Sequence, residues 1–408
     1  MKQVSLVVFF LTLIVCKQEY TPENKIKDDV SFLADDKLEG RGTGTAGEKA
    51  AAAYISDRFK DLGLTGKGTE GYLQEFTFKP KTDPHSEAEF TEMKEDSTIT
   101  GVNVLGFLDN KAEKTIIIGA HYDHLGYGGD GSLYRGEGAA IHNGADDNAS
   151  GVAIMLNLAA KLKQTNTSNN YLFMAFSGEE MGLLGSNYFV KNATIDTETI
   201  NYMFNMDMVG RLKADSTLAV YGTGTSPIFK QTVTANNDKF KIVEHESGVG
   251  PSDHTSFYLN DIPVLHFFTG QHEDYHKPSD DSEKLNYPGM ELISDYIYTL
   301  ISDLDDNGKL AFRTTKNEDE NTPRFKVTLG VVPDYLYGES GMRIDGVTED
   351  KPAHVAGILK GDIVIQMGEH EVADMMGYMK ALSKFEAGNT TTVKVNRGGE
   401  ILEFEVTF

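Results

Sequence analysis

The chain has 408 residues, too long for one ordinary domain, and is 39% hydrophobic with 10% aromatic residues, enough for packed cores. Its formal net charge of −24 argues against nucleic acid as a partner, because a phosphate backbone selects Lys and Arg. It suits a soluble protein whose acidic groups meet metal cations or amine-bearing ligands.

The N-terminus reads Met1-Lys2, then an almost wholly apolar run over 4–15. That run is too short to span a bilayer and fits the core of a signal peptide. Cys16, the only cysteine, ends it and resembles the lipid-modified residue of a bacterial lipoprotein signal, LIVC followed by Lys17-Gln18-Glu19. Val15 stands where a small residue is usual. The expectation is a signal peptide over 1–16 and an exported lipoprotein of the cell envelope, in the periplasm or outer membrane. Membrane contact is then through a lipid anchor on Cys16 alone; the alternative is a plain signal core removed by cleavage. With no other thiol, disulfides, thiolate metal sites and thiol nucleophiles are excluded.

The polar stretch 17–30 reads as a tether and 31–38 as a short helix. EGRGTGTAG over 39–47 has no strand before it and no Gly-Lys-Ser/Thr after it, which excludes a P-loop and leaves a tight loop over a site. Ala51, Ile55, Phe59 and Leu62 recur at helical spacing over 48–62, with Gly63 as the stop. Strands are expected over 72–78 and 98–108, and KTIIIGA over 114–120 is a buried strand ending at His121. A glycine-rich loop follows to Asn143. Residues 146–150 lead into a helix whose apolar face is Val152, Met155, Leu156, Ala159 and Leu162. The strand over 171–176 runs into Ser177-Gly178-Glu179-Glu180, with a helix expected over 180–190. Further strands are expected over 199–208, 218–221 and 262–268, and helices over 227–236 and 289–304. Strands alternating with helices mean a largely parallel sheet covered on both faces, within a domain over 17–305. Residues 306–323 read as a linker, with an edge strand at 310–313 as one reading, and 324–408 as a second, small domain.

Two adjacent carboxylates at the end of a buried strand are unfavourable unless a cation sits there. In open α/β sheets, ligands bind beyond the carboxyl ends of the strands. Glu179-Glu180 therefore reads as a metal site, or as a solvated helix start where the dipole favours Glu. Similar clusters recur: His121-Tyr122-Asp123-His124 after the KTIIIGA strand, Asp146-Asp147 before the Val152 helix, Asp207 near the end of NYMFNMDM, and His276 in DYHKPSDD. Each has a plain explanation alone. Asp207 would be a hydrogen-bonded buried group, Asp146 a helix cap, and His276 a surface or core residue. Repetition at strand ends points instead to a divalent metal held by imidazole and carboxylate. A two-metal hydrolase needs about five such ligands, one of them bridging, and one carboxylate off the metals to take a proton. In His121-x-Asp123 the Asp can orient the His ring through its other nitrogen.

The motifs HYDHLGYGG, HNGADDNASG, FSGEEMGLLGS, NMDMVG and DYHKPSDD, in this order within about residues 20–305, resemble the di-zinc aminopeptidases of metallopeptidase family 28, clan MH. The resemblance implies a mixed, mostly parallel α/β sheet sandwiched by helices, and two zinc ions. His121 and Asp207 would hold one, Glu180 and His276 the other, and Asp147 would bridge them. Glu179 would be the general base, Asp123 would orient His121, and a cis peptide would join Asp147 to Asn148. Tyr275 would stabilise an oxyanion, unless it is a packing tyrosine. PSDHTSF over 251–257 resembles the family's Ser-Asp-His stretch, with Pro251 where some members carry tyrosine. Asp253 and His254 would line or support the pocket, and Asp280 matches a family carboxylate.

In the last domain, TLGVVPDY and AGILKGDIVIQMGEHEV resemble a PDZ domain of the bacterial type, β-rich with a helix near 375–384. Leu329, Gly330 and Val331 would form the loop that captures the carboxylate of a C-terminal peptide ligand; the alternative is a structural appendage. The implied function is an exported aminopeptidase acting on peptide substrates. Two alternatives remain: a same-fold carboxypeptidase or glutaminyl cyclase, and a non-catalytic peptide-binding protein acting through the PDZ domain. The full ligand set favours two metals and hydrolysis, and Glu179 argues against a dead domain.

Overall fold

The structure, a computed structural model, describes residues 22–80, 89–95, 97–129, 131–163, 168–315, 326–334, 337, 339–348 and 350–408. The signal-peptide run and Cys16 lie outside the described residues. The strands of the first domain are β1 (Thr65–Gly66), β2 (Leu73–Lys79), β3 (Glu89–Phe90), β4 (Ile99–Leu108), β5 (Thr115–His121), β6 (Asn170–Phe176), β7 (Ile200–Met206), β8 (Thr217–Tyr221), β9 (Lys241–His245) and β10 (Val264–Phe268). They form one sheet in the order β3-β2-β4-β6-β5-β7-β10-β8-β9, with β1 beside β4. The central strands β6, β5, β7 and β10 are parallel, whereas β4 joins β6 and β8 joins β10 antiparallel. The carboxyl ends of the four central strands therefore meet on one edge; the sheet is mixed as expected, with parallel pairing confined to its centre and to β8–β9.

The apolar run of β5 suits a strand covered on both faces. Ile116, Ile118 and Ala120 face one layer, while Ile117 packs with Phe176, Phe189 and Met203 on the other. The first layer holds α1 (Pro22–Leu33), α2 (Ala46–Asp61), α3 (Gly151–Leu162), α5 (Phe229–Ala235) and α7 (Tyr287–Leu304); α4 (Leu184–Lys191) and α6 (His254–Tyr258) lie on the other face. Helix α3 is apolar nearly all round because it runs between the sheet and α1 and α7.

Three expectations need correction. Residues 17–30 are not all tether: from Pro22 they form α1, whose Ile26, Val30 and Leu33 recur at helical spacing and are buried in the core. The helix expected over 180–190 begins only at Leu184, because Gly178 (φ +70°), Gly182 (φ +109°) and Leu183 (φ +58°) turn the chain first. Residues 310–313 form no strand. They lie against the first domain, with the Leu310 amide donating to Asn201 Oδ1 (2.7 Å) and that of Arg313 to the Thr225 carbonyl (2.8 Å).

The last domain consists of β11 (Val331–Pro333), β12 (Met342–Val347), α8 (Pro352–Ala356), β13 (Ile363–Met367), β14 (His370–Glu371), α9 (Met375–Leu382), β15 (Thr390–Arg397) and β16 (Glu400–Thr407). Its antiparallel sheet runs β11-β12-β13-β15-β16, with β14 beside β13 and a core of its own around Leu329, Ile344, Val364, Val393 and Val395. No helix among the described residues is long and apolar enough to cross a membrane.

Candidate metal centre and active site

Three of the four central parallel strands deliver a side chain to the same place. β5 ends in His121, β6 runs into the turn bearing Glu179 and Glu180, and β7 is followed at once by Asp207. Asp147 comes from the irregular turn Ala145–Ser150 ahead of α3, and the peptide bond from Asp147 to Asn148 is cis. Met208 (φ +50°), beside the cluster, and His276 (φ +54°), within it, hold left-handed backbone that non-glycine residues seldom adopt.

Five donors meet in two groups. His121 Nε2 lies 3.3 Å from Asp147 Oδ1 and 3.4 Å from Asp207 Oδ1. His276 Nε2 lies 3.2 Å from Asp147 Oδ2 and 3.2 Å from Glu180 Oε2. Asp147 thus offers one oxygen to each group. These separations decide between two explanations. An imidazolium hydrogen-bonded to a carboxylate would close to about 2.7–2.9 Å. Two ligands at ~2.0–2.1 Å from a tetrahedral zinc stand ~3.3 Å apart. The donor set fits metal ions in spacing as well as in chemistry.

His124 does not. Its Nδ1 lies 2.7 Å from Glu180 Oε1, a hydrogen bond, although it also sits within reach of Asp147 and could be counted with that pair as a metal group. By the same measure His276 has the spacing of a metal donor, and His124 that of a hydrogen-bonding support fixing the Glu180 carboxylate. His276 Nδ1 is held by the Gly131 carbonyl at 2.7 Å, which turns Nε2 to the carboxylates. His121 Nδ1 lies 3.2 Å from the Asp123 carbonyl and 3.7 Å from its carboxylate, so the main chain of Asp123 is the nearer orienting group.

The demand for positive charge is visible in the proton affinities. Burial opposes ionisation of Asp147, but the nearby imidazoles of His121 and His276 outweigh it and hold this carboxyl well below its usual range. Burial and Asp147 raise Glu180, yet His276 and His124 bring it down to about 2. Burial would lower His276, but Glu180 and Asp147 push it up to about 11. Divalent cations would take the place of these protons. Glu179 behaves oppositely. Burial raises its pKa well above the ordinary value, helped by Asp207, Glu180 and Asp253 against the pull of His121. Its carboxylate is not among the donor groups, and its amide donates to Asp123 Oδ1 at 3.1 Å.

A hollow of about 150 Å³ opens onto Asp147, Glu179, Glu180 and Asp207, with Tyr221, Phe268 and Tyr275 among its walls. The Tyr275 ring stacks on His276 at 3.8 Å between centroids. Pro251 lines the hollow; Asp253 and His254 are buried behind it, His254 stacked on His266 at 4.4 Å. Asp280 Oδ2 accepts from the amides of Asp146 (2.9 Å) and Asp147 (3.1 Å), holding the turn that presents the shared carboxylate.

Arg41 is a contributor the sequence alone did not reveal. Its guanidinium is wholly buried and donates to the carbonyls of Tyr122 (2.7 Å), Asn143 (2.7 Å), Gly144 (2.9 Å) and Leu33. Burial lowers its pKa only to about 10, because Asp123, Asp147, Asp280 and Glu180 oppose the fall. It is a fixed cation under an acidic site, donated by the EGRGTGTAG loop.

In the last domain Leu329 is buried, with its carbonyl accepting from the Ala353 amide at 2.9 Å. The Gly330 amide donates to Thr328 Oγ1 at 3.0 Å, and Val331 begins the edge strand β11.

Residues 103–301 match the family described as Peptidase family M28, and residues 308–408 match a PDZ domain. The chain is 31% identical over 176 residues to the alkaline phosphatase isozyme conversion protein of Escherichia coli (strain K12), covering 43% of this chain and 48% of that protein. It is 28% identical over 214 residues to aminopeptidase YwaD of Bacillus subtilis (strain 168), covering 48% and 43%. The chain spans about half the length of the curated relatives it matches. Among solved structures, a zinc aminopeptidase from Bacillus subtilis is similar with a TM-score of 0.54 at 17% identity, over 71% of this chain and 98% of that one. Porphyromonas gingivalis glutaminyl cyclase is similar with a TM-score of 0.53 at 17% identity, over 69% and 98%. At such identities the likeness speaks for the fold.

Proposed function

We propose that the chain, whose residues 103–301 match peptidase family M28 and residues 308–408 a PDZ domain, is a zinc-dependent aminopeptidase with two metal ions. The observation that carries the reading is the pair of donor groups sharing Asp147, each at the spacing of zinc ligands. His121 and Asp207 would hold one ion, Glu180 and His276 the other, and Asp147 both. When bound, the ions supply Lewis acidity, polarising the scissile carbonyl and bringing the pKa of water towards ~7.

The remaining steps fall to the chain's own side chains. Glu179, off the donor groups and raised in proton affinity by burial, takes the proton of the attacking water and returns it to the leaving amine. Asp123 fixes the backbone of that residue. Tyr275, over His276, directs its hydroxyl at the carbonyl oxygen as it gains charge. The acidic cluster favours a protonated N-terminal amine, so substrates are peptides with a free N-terminus.

Hydrolysis of leucyl-4-nitroanilide and Leu-Gly-Gly by the zinc-loaded chain tests this, with N-acetylated peptides refused. Glu179→Gln should retain its zinc and lose about 10²–10⁴-fold in kcat. Activity surviving that change removes Glu179 from its role, and no turnover at full zinc loading removes the peptidase reading. The likeness to a glutaminyl cyclase motivates a control: ammonia release from a Gln-peptide without chain cleavage would mark the cyclase instead. The apolar run over 4–15 and Cys16 support export with a lipid anchor, which labelling with a radioactive fatty acid and its loss in Cys16→Ser would test. The edge strand β11 behind Gly330 supports capture of a peptide C-terminus by the PDZ domain.

A further inference from the structure

A cleft of about 560 Å³ lies between the two domains, within the roughly 300–1,000 Å³ of sites that bury small ligands. Tyr134, Arg135, Tyr275 and Lys277 line it from the first domain, Val347 and Lys360 from the PDZ domain. Tyr275 is also a wall of the hollow at the carboxylates, so the cleft begins where that hollow ends. The near wall is tied to the metal centre, because the Leu133 amide donates to the His276 carbonyl at 3.0 Å and the Gly131 carbonyl holds His276 Nδ1. The far wall is held to the first domain by Lys213 Nζ, 3.7 Å from Asp345 Oδ2, while Lys360 Nζ lies 3.3 Å from the other oxygen.

The cleft is lined by three cations, Arg135, Lys277 and Lys360, and by two carboxylates, Glu273 and Asp345. The net charge is −24, yet Arg135 and Lys277 face the cleft with no carboxylate within ion-pair distance among the described residues. Among the described residues the Arg135 guanidinium donates to carbonyls of its own turn, Ser132 (3.2 Å) and Tyr134 (3.0 Å). The Lys277 ammonium donates to the Glu273 carbonyl at 2.8 Å. Both retain donors that an anionic ligand would satisfy. Because Tyr275 borders both cavities, a peptide with its N-terminal residue at the carboxylate cluster can pass it into this cleft. Its only obligatory anion is the terminal carboxylate.

Resting on the aminopeptidase reading, we propose that the interdomain cleft holds the C-terminal side of the substrate, and that Arg135 and Lys277 bind the free carboxylate of peptides a few residues long. The PDZ domain then forms the outer wall of the substrate site and limits substrate length. An acidic side chain offers the same chemistry, so the test must separate the two sources.

The zinc-loaded full chain is assayed with Leu-Gly-Gly, Leu-Gly-Gly-amide, Leu-Gly-Glu-amide and leucyl-4-nitroanilide. The free acid should show a KM about tenfold below its amide at similar kcat, the size of one charge-assisted hydrogen bond in a half-exposed site. Leu-Gly-Glu-amide should behave as the plain amide does. In Arg135→Gln/Lys277→Gln the acid-to-amide ratio of kcat/KM should collapse towards one. Equal KM for acid and amide, with all peptides hydrolysed, overturns the carboxylate site and leaves the peptidase reading standing. So does an acid preference that survives the double substitution, or Leu-Gly-Glu-amide binding as well as the free acid. Failure to cleave any of the four substrates overturns the peptidase reading and this proposal with it.

Discussion

Glu48 gives a quantitative test of how the site's floor is built. It sits near the start of α2, fully buried, beneath the turn that carries Glu179. The Gly44 amide (2.5 Å), the Val102 amide (3.4 Å), the Tyr122 hydroxyl (3.4 Å) and the Ser177 hydroxyl all donate to its carboxylate. Burial nevertheless raises its pKa from 4.5 to about 7, the hydrogen bonds only moderating the rise. Between those two values the folded protein holds a proton that the unfolded chain has released. Stability must therefore fall as pH rises through this window and level off above about 7. The rise corresponds to about 3 kcal/mol. Glu48→Gln is neutral at every pH and removes that slope, whatever constant offset its altered hydrogen bonds introduce. Urea unfolding of the chelator-treated protein and of the variant, at intervals from pH 4.5 to 8, gives the difference directly. Asp253 and Asp280 titrate in both chains and cancel. A difference constant within about 0.5 kcal/mol across the window would refute the reasoning.

Two substitutions probe the site from below and above. Arg41→Ala takes a donor from four buried carbonyls and removes the cation beneath the carboxylates, at about 3–5 kcal/mol. Thermal unfolding should show a midpoint lower by roughly 5–20 °C, and an unchanged midpoint would contradict the buried-cation role. Tyr275→Phe should lower kcat by about 10²-fold with KM nearly unchanged, if its hydroxyl stabilises the oxyanion. A kcat within twofold of the parent would make it a packing residue.

Much of this architecture could be read from the chain, and the reason is local. KTIIIGA and YLFMAF are apolar enough to be strands covered on both faces, and polar groups come straight after them: His121 after the first, Glu179 and Glu180 in the turn after the second. The features that escaped depend on contacts distant in sequence. Arg41 pairs with Asn143, 102 residues away, and His124 with Glu180, 56 residues away; nothing near either residue announces its partner. Helix α1 was hidden because Lys and Asp surround Ile26, Val30 and Leu33 and mask their helical spacing. The late start of α4 follows from the left-handed backbone at Gly178 and Gly182, which keeps Glu179 and Glu180 in a turn. A helix begun at Glu180 would have carried both carboxylates around its axis. Strand β9 gave no signal because KIVEH, at the edge of the sheet, is neither clearly alternating nor wholly apolar.

The central claim is that one carboxylate, Asp147, serves two metal ions. Zinc content per chain, measured by plasma mass spectrometry on the dialysed, active protein and on Asp147→Ala, tests it most directly. The account predicts two zinc ions per chain in the parent and loss of both, with activity, in the variant. One zinc per chain in a fully active parent, or two retained by Asp147→Ala, would contradict it.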